Sequence, residues 1–502
     1  MMARYANIAR LAAALAAGAT LHLAFAPYGY YLLAFLCLAA LFWLWDCSEP
    51  KFMALTGFML GLGMFGFGVW WVQVSVHQFG LPIYSFSVAV TAGFVLILSA
   101  YPAFCGYLAA KLPASHRFAR VLFLYPATWT VSEALRGWLF TGFPWLLVGY
   151  SQTDSPLSVF APVVGVYGVS FITALVAAAM VVVVRAQGGW RQIAVCVLLG
   201  IVVAAVALAD VHWTRAAGAK HAVALVQGAV PQATKWHPEH RQPSIDLYTE
   251  LSKPHWGKSL IVWPETAIPA FTDEVPEVLA GLKSQATKSG TSLLVGIATG
   301  NPSGRGEYFN SVVQLGAGSG YYNKRHLVPF GEYLPFDKWL RPLTSFLRIP
   351  MSNFSPGELE QPLLSVGGYS VGVSICFEDA YAEEVTRALP QANVLVNVSN
   401  DAWFGNSIAP HQHLQIARMR ALETERYMLR ATNTGISAII DERGKIVAAS
   451  KQFVVDVVSG EMIPRTGSTP AARFGIRATL ALCFILIAIC VLIAAGRKRR
   501  KT

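Results

Sequence analysis

Charge is what this sequence has least of. Only 13% of its 502 residues are Asp, Glu, Lys or Arg, against about 25% in an average soluble chain. Another 54% are hydrophobic, so much of the chain must sit in a solvent other than water. The net charge of +11 does not point to nucleic acid, because five basic residues stand together as Arg497-Lys498-Arg499-Arg500-Lys501, directly after an apolar run. Such a cluster sets membrane orientation. The chain also lacks a Gly-rich phosphate loop between a strand and a helix. His411 and His413 have no Cys or carboxylate at ligand spacing and read as a solvated loop or the start of a helix. No metal, nucleotide or other cofactor is therefore expected.

What is abundant is apolar runs. A bilayer core of roughly 30 Å needs about 20 apolar residues per spanning helix. Runs near 8–27, 30–46, 53–77, 83–110, 120–140, 157–184 and 192–210 meet or approach that length, and an eighth lies near 475–496. A cleaved signal peptide would be followed by a polar segment, whereas the second apolar run begins almost at once. The loops after runs one, three and five contain no Lys or Arg. Basic residues fall instead at Arg4 and Arg10, Lys51, Lys111 to Arg120, Arg185 and Arg191, and the C-terminus. This alternation predicts eight spans with both termini cytoplasmic. The domains are then a membrane domain over 1–214, an extracytoplasmic domain over 215–472, and a last span with a basic tail over 473–502.

One charged pair interrupts the apolar runs. Glu133 and Arg136 are three residues apart and share a helix face. A lone charge at mid-bilayer costs about 2.5–3.5 kcal/mol, so the pair is either a structural anchor or the lining of a headgroup site.

The 215–472 segment has mixed charge, Pro- and Gly-containing turns, and short β-rich runs at 222–226, 260–263, 292–297, 311–315, 371–375 and 394–398. Helical stretches near 275–288 and 411–429 alternate with some of them. That pattern predicts a layered α/β domain.

Cysteine is scarce where it would matter for an exported domain. Of seven cysteines, six (Cys37, Cys47, Cys105, Cys196, Cys483 and Cys490) lie in or beside apolar runs, where the residue behaves as a small hydrophobe. Only Cys376 lies in the exported domain, with no partner there for a disulfide. It is an inert buried thiol or a nucleophile. Its place at the end of the run Val371-Gly-Val-Ser-Ile375, before Phe377-Glu378-Asp379, favours the nucleophile, since a turn or helix start after a strand supplies amides that lower a thiol pKa.

Two other residues stand just past predicted strands. Glu265, in WPET, is a helix cap or a general base; Lys324, in YYNKRH, is a surface lysine or an oxyanion donor. With Cys376 they would form a complete set for acyl transfer through a thioester.

The segments WPET, NKRHLVPFGEYLP, SICFED and NVSNDAWFG resemble the nitrilase superfamily, which implies an αββα sandwich with a Glu–Lys–Cys triad. With the apolar runs included, the whole chain resembles the apolipoprotein N-acyltransferase family. The resemblance implies Glu265 as base, Lys324 as oxyanion stabiliser, Cys376 as nucleophile, Glu332 and Glu378 as supporting acids, and Trp236 in substrate handling. It departs from the family at Phe377, where many members have Tyr.

The implied reaction moves an acyl chain from a phospholipid, with phosphatidylethanolamine the expected donor, to Cys376 and then to the α-amino group of an S-diacylglyceryl-cysteine at an apolipoprotein N-terminus. The implied setting is a monomer in the bacterial inner membrane, with its catalytic domain in the periplasm. The stretch 336–351, with Trp339 and Phe346, reads as a packed helix or as an arm that dips into the membrane interface and meets substrate. The 142–147 loop, with Trp145, is a second candidate for lipid contact. Two other functions use the same residues differently: a membrane-tethered amidase with water as acceptor, and a transporter or receptor in which they are structural. A transporter should show several intramembrane charges and broken spans, and only Glu133 and Arg136 qualify.

Overall fold

The computed structural model describes residues 2–46, 48–300, 307–333 and 354–499. The chain forms two compact units. One consists of Met1–Gln73, Tyr84–His212 and Arg473–Thr502, the other of Val74–Ile83 and Trp213–Ala472.

The first unit is helical. Among the described residues six helical segments are long and apolar enough to cross a bilayer: Tyr5–Ala24, Pro50–Gly68, Tyr84–Lys111, Pro156–Arg185, Gly189–Leu208 and Pro470–Arg499. Leu32–Trp45 is apolar but only 14 residues long, a rise of about 21 Å against a hydrocarbon core of about 30 Å. The run near 120–140 is a composite: a π-helical turn at Arg120–Leu124 leads into the helix Tyr125–Trp138. The run near 53–77 ends sooner than its hydropathy implies. Its helix stops at Gly68, and a separate helix, Val72–Phe79, follows and counts largely with the second unit. The break falls at Val69, Trp70 and Trp71, whose apolar side chains hide it from a hydropathy reading.

Close approach fixes the middle of this helical unit. A Cβ at Gly57 would lie 2.3 Å from the carbonyl oxygen of Pro102, and one at Gly63 2.3 Å from that of Leu15. Pro50–Gly68 thus packs backbone against backbone on two neighbouring helices, as small residues allow where lipid supplies no hydrophobic drive.

Glu133 and Arg136 bond to the backbone around them, and both also line a small cavity with Tyr101, Trp129 and Ser132. Arg136 donates to the main-chain carbonyls of Phe143 (2.8 Å), Trp145 and Leu146 (3.5 Å), and Glu133 accepts the amide of Val148 at 2.8 Å. The pair satisfies the backbone of an irregular segment inside an apolar environment, where an unpaired group would cost several kcal/mol. The same bonds correct the reading of the 142–147 loop: Trp145, Leu146 and Leu147 are buried in the packing. The exposed aromatics are Trp138 and Phe140 just before it.

The second unit is a sandwich of two sheets with helices outside. Its strands in chain order are β1 Thr214–Ala216, β2 His221–Gln227, β3 Leu260–Val262, β4 Ile268–Phe271, β5 Ser292–Gly300, β6 Tyr308–Gly316, β7 Gly320–Asn323, β8 Leu364–Val366, β9 Tyr369–Ile375, β10 Val394–Ser399, β11 Met428–Thr432, β12 Ala438–Ile440, β13 Ile446–Ala449, β14 Asp456–Met462 and β15 Arg465–Gly467. One sheet runs β14-β2-β3-β5-β6-β7 with β4 also on β5, the other β13-β12-β11-β10-β9-β8, and β1 pairs with β15. Strands β2, β3 and β5 are mutually parallel, as are β9, β10 and β11.

Alternation along the strands sorts the core. Leu260 and Val262 of β3, with Val371, Val373 and Ile375 of β9, enter the layer between the sheets. Ile261, Leu293, Val295 and Ile297 face the other way, with Ile245, Tyr248 and Leu282 of the outer helices Pro238–Ser252 and Pro276–Ser289. On the far side Leu395 and Met428 pack with Leu414, Ala417 and Ala421 of the helix Ala409–Thr424. The order is helix, sheet, sheet, helix, the αββα arrangement expected from the sequence. Both sheets send the carboxyl ends of their parallel strands to one edge, where α/β folds place ligands.

Candidate active site

Glu265, Lys324 and Cys376 all follow strands that end at this edge: β3, β7 and β9. Glu265 sits on a sharp turn whose next residue, Thr266, has φ 46°. The turn lies so close to β5 that a Cβ at Gly296 would fall 2.1 Å from the Pro264 carbonyl oxygen. Only glycine fits there, and the Glu265 backbone is thereby pressed onto the sheet.

The carboxylate is held by Asn310 of β6, whose amide reaches Oε1 of Glu265 at 2.7 Å and Oε1 of Glu332 at 2.9 Å. Lys324 Nζ lies 2.9 Å from Oε1 of Glu332 and 3.7 Å from Oε1 of Glu265. Its main-chain amide donates to the Asn310 carbonyl at 2.8 Å. Glu332 folds its own loop inward by accepting the Val328 amide on Oε2 at 2.8 Å. Oε2 of Glu265 is buried without a hydrogen-bond partner among the described residues. It is the oxygen free to take a proton.

Cys376 is buried, with φ 54°. A side chain in the left-handed region costs of order 1–3 kcal/mol and persists only where the surroundings enforce it. They do so here. The Cys376 carbonyl accepts from Asn397 Nδ2 at 3.0 Å, and Glu378, two residues on, is wholly buried with four donors around it. These are the amides of Ile375 (2.7 Å), Arg325 (2.7 Å) and His326 (3.0 Å), and the Tyr322 hydroxyl (3.0 Å). Glu378 therefore ties the turn after β9 to the chain just after Lys324. Burial pushes its carboxyl up to about 7 although the amides pull it down. The Phe377 ring lies 5.7 Å from Lys324 Nζ and meets His326 and Tyr381 edge-on at 5.4 and 5.3 Å.

The electrostatics differ from the expected thiolate. Burial first, then the charge of Glu265, push the Cys376 thiol well above its ordinary value, and Lys324 only partly opposes them. The turn from Cys376 to Ala380 is a single short 3₁₀ element, too slight to overcome that. Burial likewise raises Glu265, against the pull of Lys324. Burial works against the Lys324 ammonium too, but Glu332 and Glu265 more than offset it, and it stays charged. The resting arrangement is a neutral thiol, a carboxyl group of raised basicity and a fixed cation, suited to proton transfer during nucleophilic attack.

Three residues at this edge escaped the sequence reading. Lys235 is fully buried and donates to the main-chain carbonyl of Glu265 at 3.2 Å. Burial lowers its pKa to about 7, with Glu265 opposing. In sequence it looks like a surface lysine beside Trp236, which is half-buried. Asn310 carries no motif at all. His413, expected in a loop or helix start, does lie near the start of a helix but is wholly buried rather than solvated. Trp339, Phe346 and the 336–351 stretch lie outside the described residues, as does Cys47.

Comparison with known proteins covers both halves of the chain. Residues 17–179 match the family described as apolipoprotein N-acyltransferase N-terminal domain, and residues 202–470 match carbon-nitrogen hydrolase. The chain is 45% identical to the apolipoprotein N-acyltransferase of Methylococcus capsulatus over 97% of its own length and 96% of that protein's. Proteins of the same name are similar too: that of Photobacterium profundum at 39% over 93% and 92%, and that of Nitrosomonas europaea at 42% over 98% and 99%.

Proposed function

The chain belongs to the apolipoprotein N-acyltransferase family, and from that premise we propose how its own residues carry the reaction. It is an N-acyltransferase whose acceptor is an apolipoprotein, and the names of its relatives do not favour the amidase alternative. The observation that carries the assignment is the cluster at the sheet edge: Glu265 Oε1 and Glu332 Oε1 share Asn310, and both lie within 3.7 Å of Lys324 Nζ. Cys376 feels the charges of all three ionisable members.

In the first half-reaction Glu265 takes the thiol proton through Oε2 as the Cys376 sulfur attacks the ester carbonyl of a phospholipid. Lys324 stabilises the oxyanion of the tetrahedral intermediate. The intermediate collapses, the C–O bond breaks, and Glu265 returns the proton to the departing lysophospholipid alkoxide. A thioester is left on Cys376. In the second half the α-amino group of an S-diacylglyceryl-cysteine attacks the thioester, Glu265 takes a proton from the amine, the C–S bond breaks to release the Cys376 thiolate, and Glu265 passes the proton to it. The raised basicity of Glu265 suits both proton transfers, because a base works best when its pKa nears the working pH.

Phosphatidylethanolamine is the proposed donor. Glu332 and Glu378 position Lys324 and the Cys376 turn, and Trp236, Trp339 and Phe346 are proposed to meet the lipid chains. Eight spans, cytoplasmic termini and a periplasmic catalytic domain of an inner-membrane monomer complete the reading. The alternating Lys and Arg of the loops support it. Both substrates are lipid-anchored, so the site must be reached from a bilayer surface.

The test incubates full-length protein with phosphatidylethanolamine vesicles and no acceptor, then measures intact mass. One added acyl chain on Cys376, absent in Cys376→Ser and discharged by a diacylglyceryl lipopeptide, is expected. An adduct unchanged in Cys376→Ser overturns the reading.

A further inference from the structure

Behind Cys376 lies a group of charges that the reaction above does not use. His413, on the helix Ala409–Thr424, is fully buried. Its Nδ1 lies 2.9 Å from Oδ1 of Asp401, and its Nε2 lies 2.9 Å from Oδ1 of Asp379 and 3.3 Å from the Cys376 carbonyl oxygen. Arg430 of β11 closes the group, reaching Oδ2 of Asp379 at 3.2 Å and Oδ2 of Asp401 at 3.0 Å. It also donates to Oδ1 of Asn397 at 2.6 Å, which turns the Asn397 amide toward the Cys376 carbonyl at 3.0 Å. Space is reserved for the group: a Cβ at Gly435 would fall 2.1 Å from Oδ2 of Asp401.

The proton count follows from the acceptors. Asp379 and Asp401 each meet the Arg430 guanidinium through one oxygen and His413 through the other, so the ring lies between two carboxyl groups that already share one cation. Each ring nitrogen lies 2.9 Å from a carboxyl oxygen, and the imidazolium is the form that donates to both. Two positive and two negative side chains sum to zero, as a buried cluster needs if its desolvation is to be offset. Burial and Arg430 work against the charged ring, and the two carboxylates outweigh them. Among the described residues, Asp379 from the turn after β9, Asp401 from the turn after β10 and Arg430 from β11 are charged groups that face it.

We propose that His413 is a positioning residue for the acyl transfer: as an imidazolium protonated on both nitrogens, it grips the Cys376 carbonyl together with Asn397 and so fixes the left-handed backbone on which the thiol is mounted. The ring donates one N–H to Asp401 and shares the other between Asp379 and Cys376. It acts through the nucleophile's backbone and touches no substrate. The inference rests on the reading that Cys376 carries the acyl group. Misplacing a nucleophile by about 1 Å can cost on the order of a hundredfold in rate.

Two measurements test it on full-length protein. The first is the single-turnover rate of Cys376 acylation from phosphatidylethanolamine vesicles, with its dependence on lipid concentration, for wild type, His413→Gln and the double variant His413→Gln/Asp401→Asn. In the single variant the glutamine carbonyl faces the Asp401 carboxylate. In the double variant the amide introduced at position 401 can donate to that carbonyl and leave the glutamine N–H for Cys376. The expected result is a loss of about 10- to 100-fold in the single variant, with the half-saturating lipid concentration unchanged and partial recovery in the double. The second is nitrogen NMR of ring-labelled histidine, with His413 assigned by its loss in the variant, or by its burial should the variant fail to fold. The imidazolium signature should persist above the ordinary histidine value of 6.5. A ring that loses its proton at or below 6.5, or wild-type acylation in folded His413→Gln, overturns the inference. Failure of wild type to acylate at Cys376 would overturn the functional reading instead.

Discussion

Asn310 donates its side-chain amide to Oε1 of Glu265 at 2.7 Å. The bond fixes one carboxylate oxygen and leaves the other open to a proton, so the orientation of the base depends on a neutral residue of a different strand. Asn310→Asp would set a third carboxyl among Glu265 and Glu332. It should lower the single-turnover acylation rate by about a hundredfold, while Asn310→Ser, which removes the bond without adding charge, should lose about tenfold; a hydrogen bond to a charged group is worth about 1.5–3 kcal/mol. Equal rates in the two variants would show that charge at this position is immaterial.

Lys235 gives a pH-dependent prediction. Its amine falls from an ordinary 10.5 to about 7 on burial. Between those values the unfolded chain binds the proton and the folded chain does not, so folding loses stability as pH falls from 10.5 to about 7 and is constant below. Lys235→Met should therefore melt higher than wild type at neutral pH, with the difference shrinking as pH rises toward 10.5. The same variant loses the bond to the Glu265 carbonyl and should acylate about tenfold more slowly. A lower melting temperature at neutral pH would contradict the burial argument.

The acid limb of the rate profile reports Glu265. Burial raises its pKa above the ordinary 4.5, and only the ionised form accepts the thiol proton. Acylation rate should fall as pH drops through a midpoint higher than 4.5, and Glu265→Gln should abolish it at every pH. A limb at or below that value would assign the base elsewhere.

Phe377 keeps its ring against the Lys324 ammonium at 5.7 Å. Phe377→Leu removes the π face while keeping much of the bulk, and a loss of about two- to thirtyfold in acylation is expected from a cation–π contact of about 0.5–2 kcal/mol. A larger loss would point to packing with His326 and Tyr381.

Arg136 serves stability. Arg136→Met strands the carbonyls of Phe143, Trp145 and Leu146, and a buried acceptor left unpaired costs about 1–3 kcal/mol. The melting temperature should drop sharply, yet the protein that remains folded should acylate Cys376 at the wild-type rate.

Much of this architecture could be read before any coordinates. β-Branched runs such as Val371 to Ile375 and Val394 to Val398 mark strands because nothing else accommodates them so well, and a chemically active residue directly after a strand is visible in one dimension. Three kinds of feature could not be read that way. Lys235 and Asn310 act on Glu265 from 30 and 45 residues away, and no spacing rule connects them to it. His413 is separated by 34 residues from Asp379 and by 12 from Asp401, so its charged cradle exists only once three strands and a helix have met. The helix break at Val69–Trp71 was hidden because tryptophan and valine score as apolar whether or not the backbone continues.

The segment Val74–Ile83 belongs with the sandwich although more than 120 residues separate it from the rest. The Ser75 hydroxyl reaches the Trp403 carbonyl at 2.6 Å, and the Phe79 ring sits 4.5 Å from the Trp403 ring. The hydrolase-like half is thus not a continuous stretch of gene. A fragment cut at Trp213 would leave behind the strip of chain that covers its own tryptophan, so transplanting this sandwich onto another anchor means carrying along a piece of the old one.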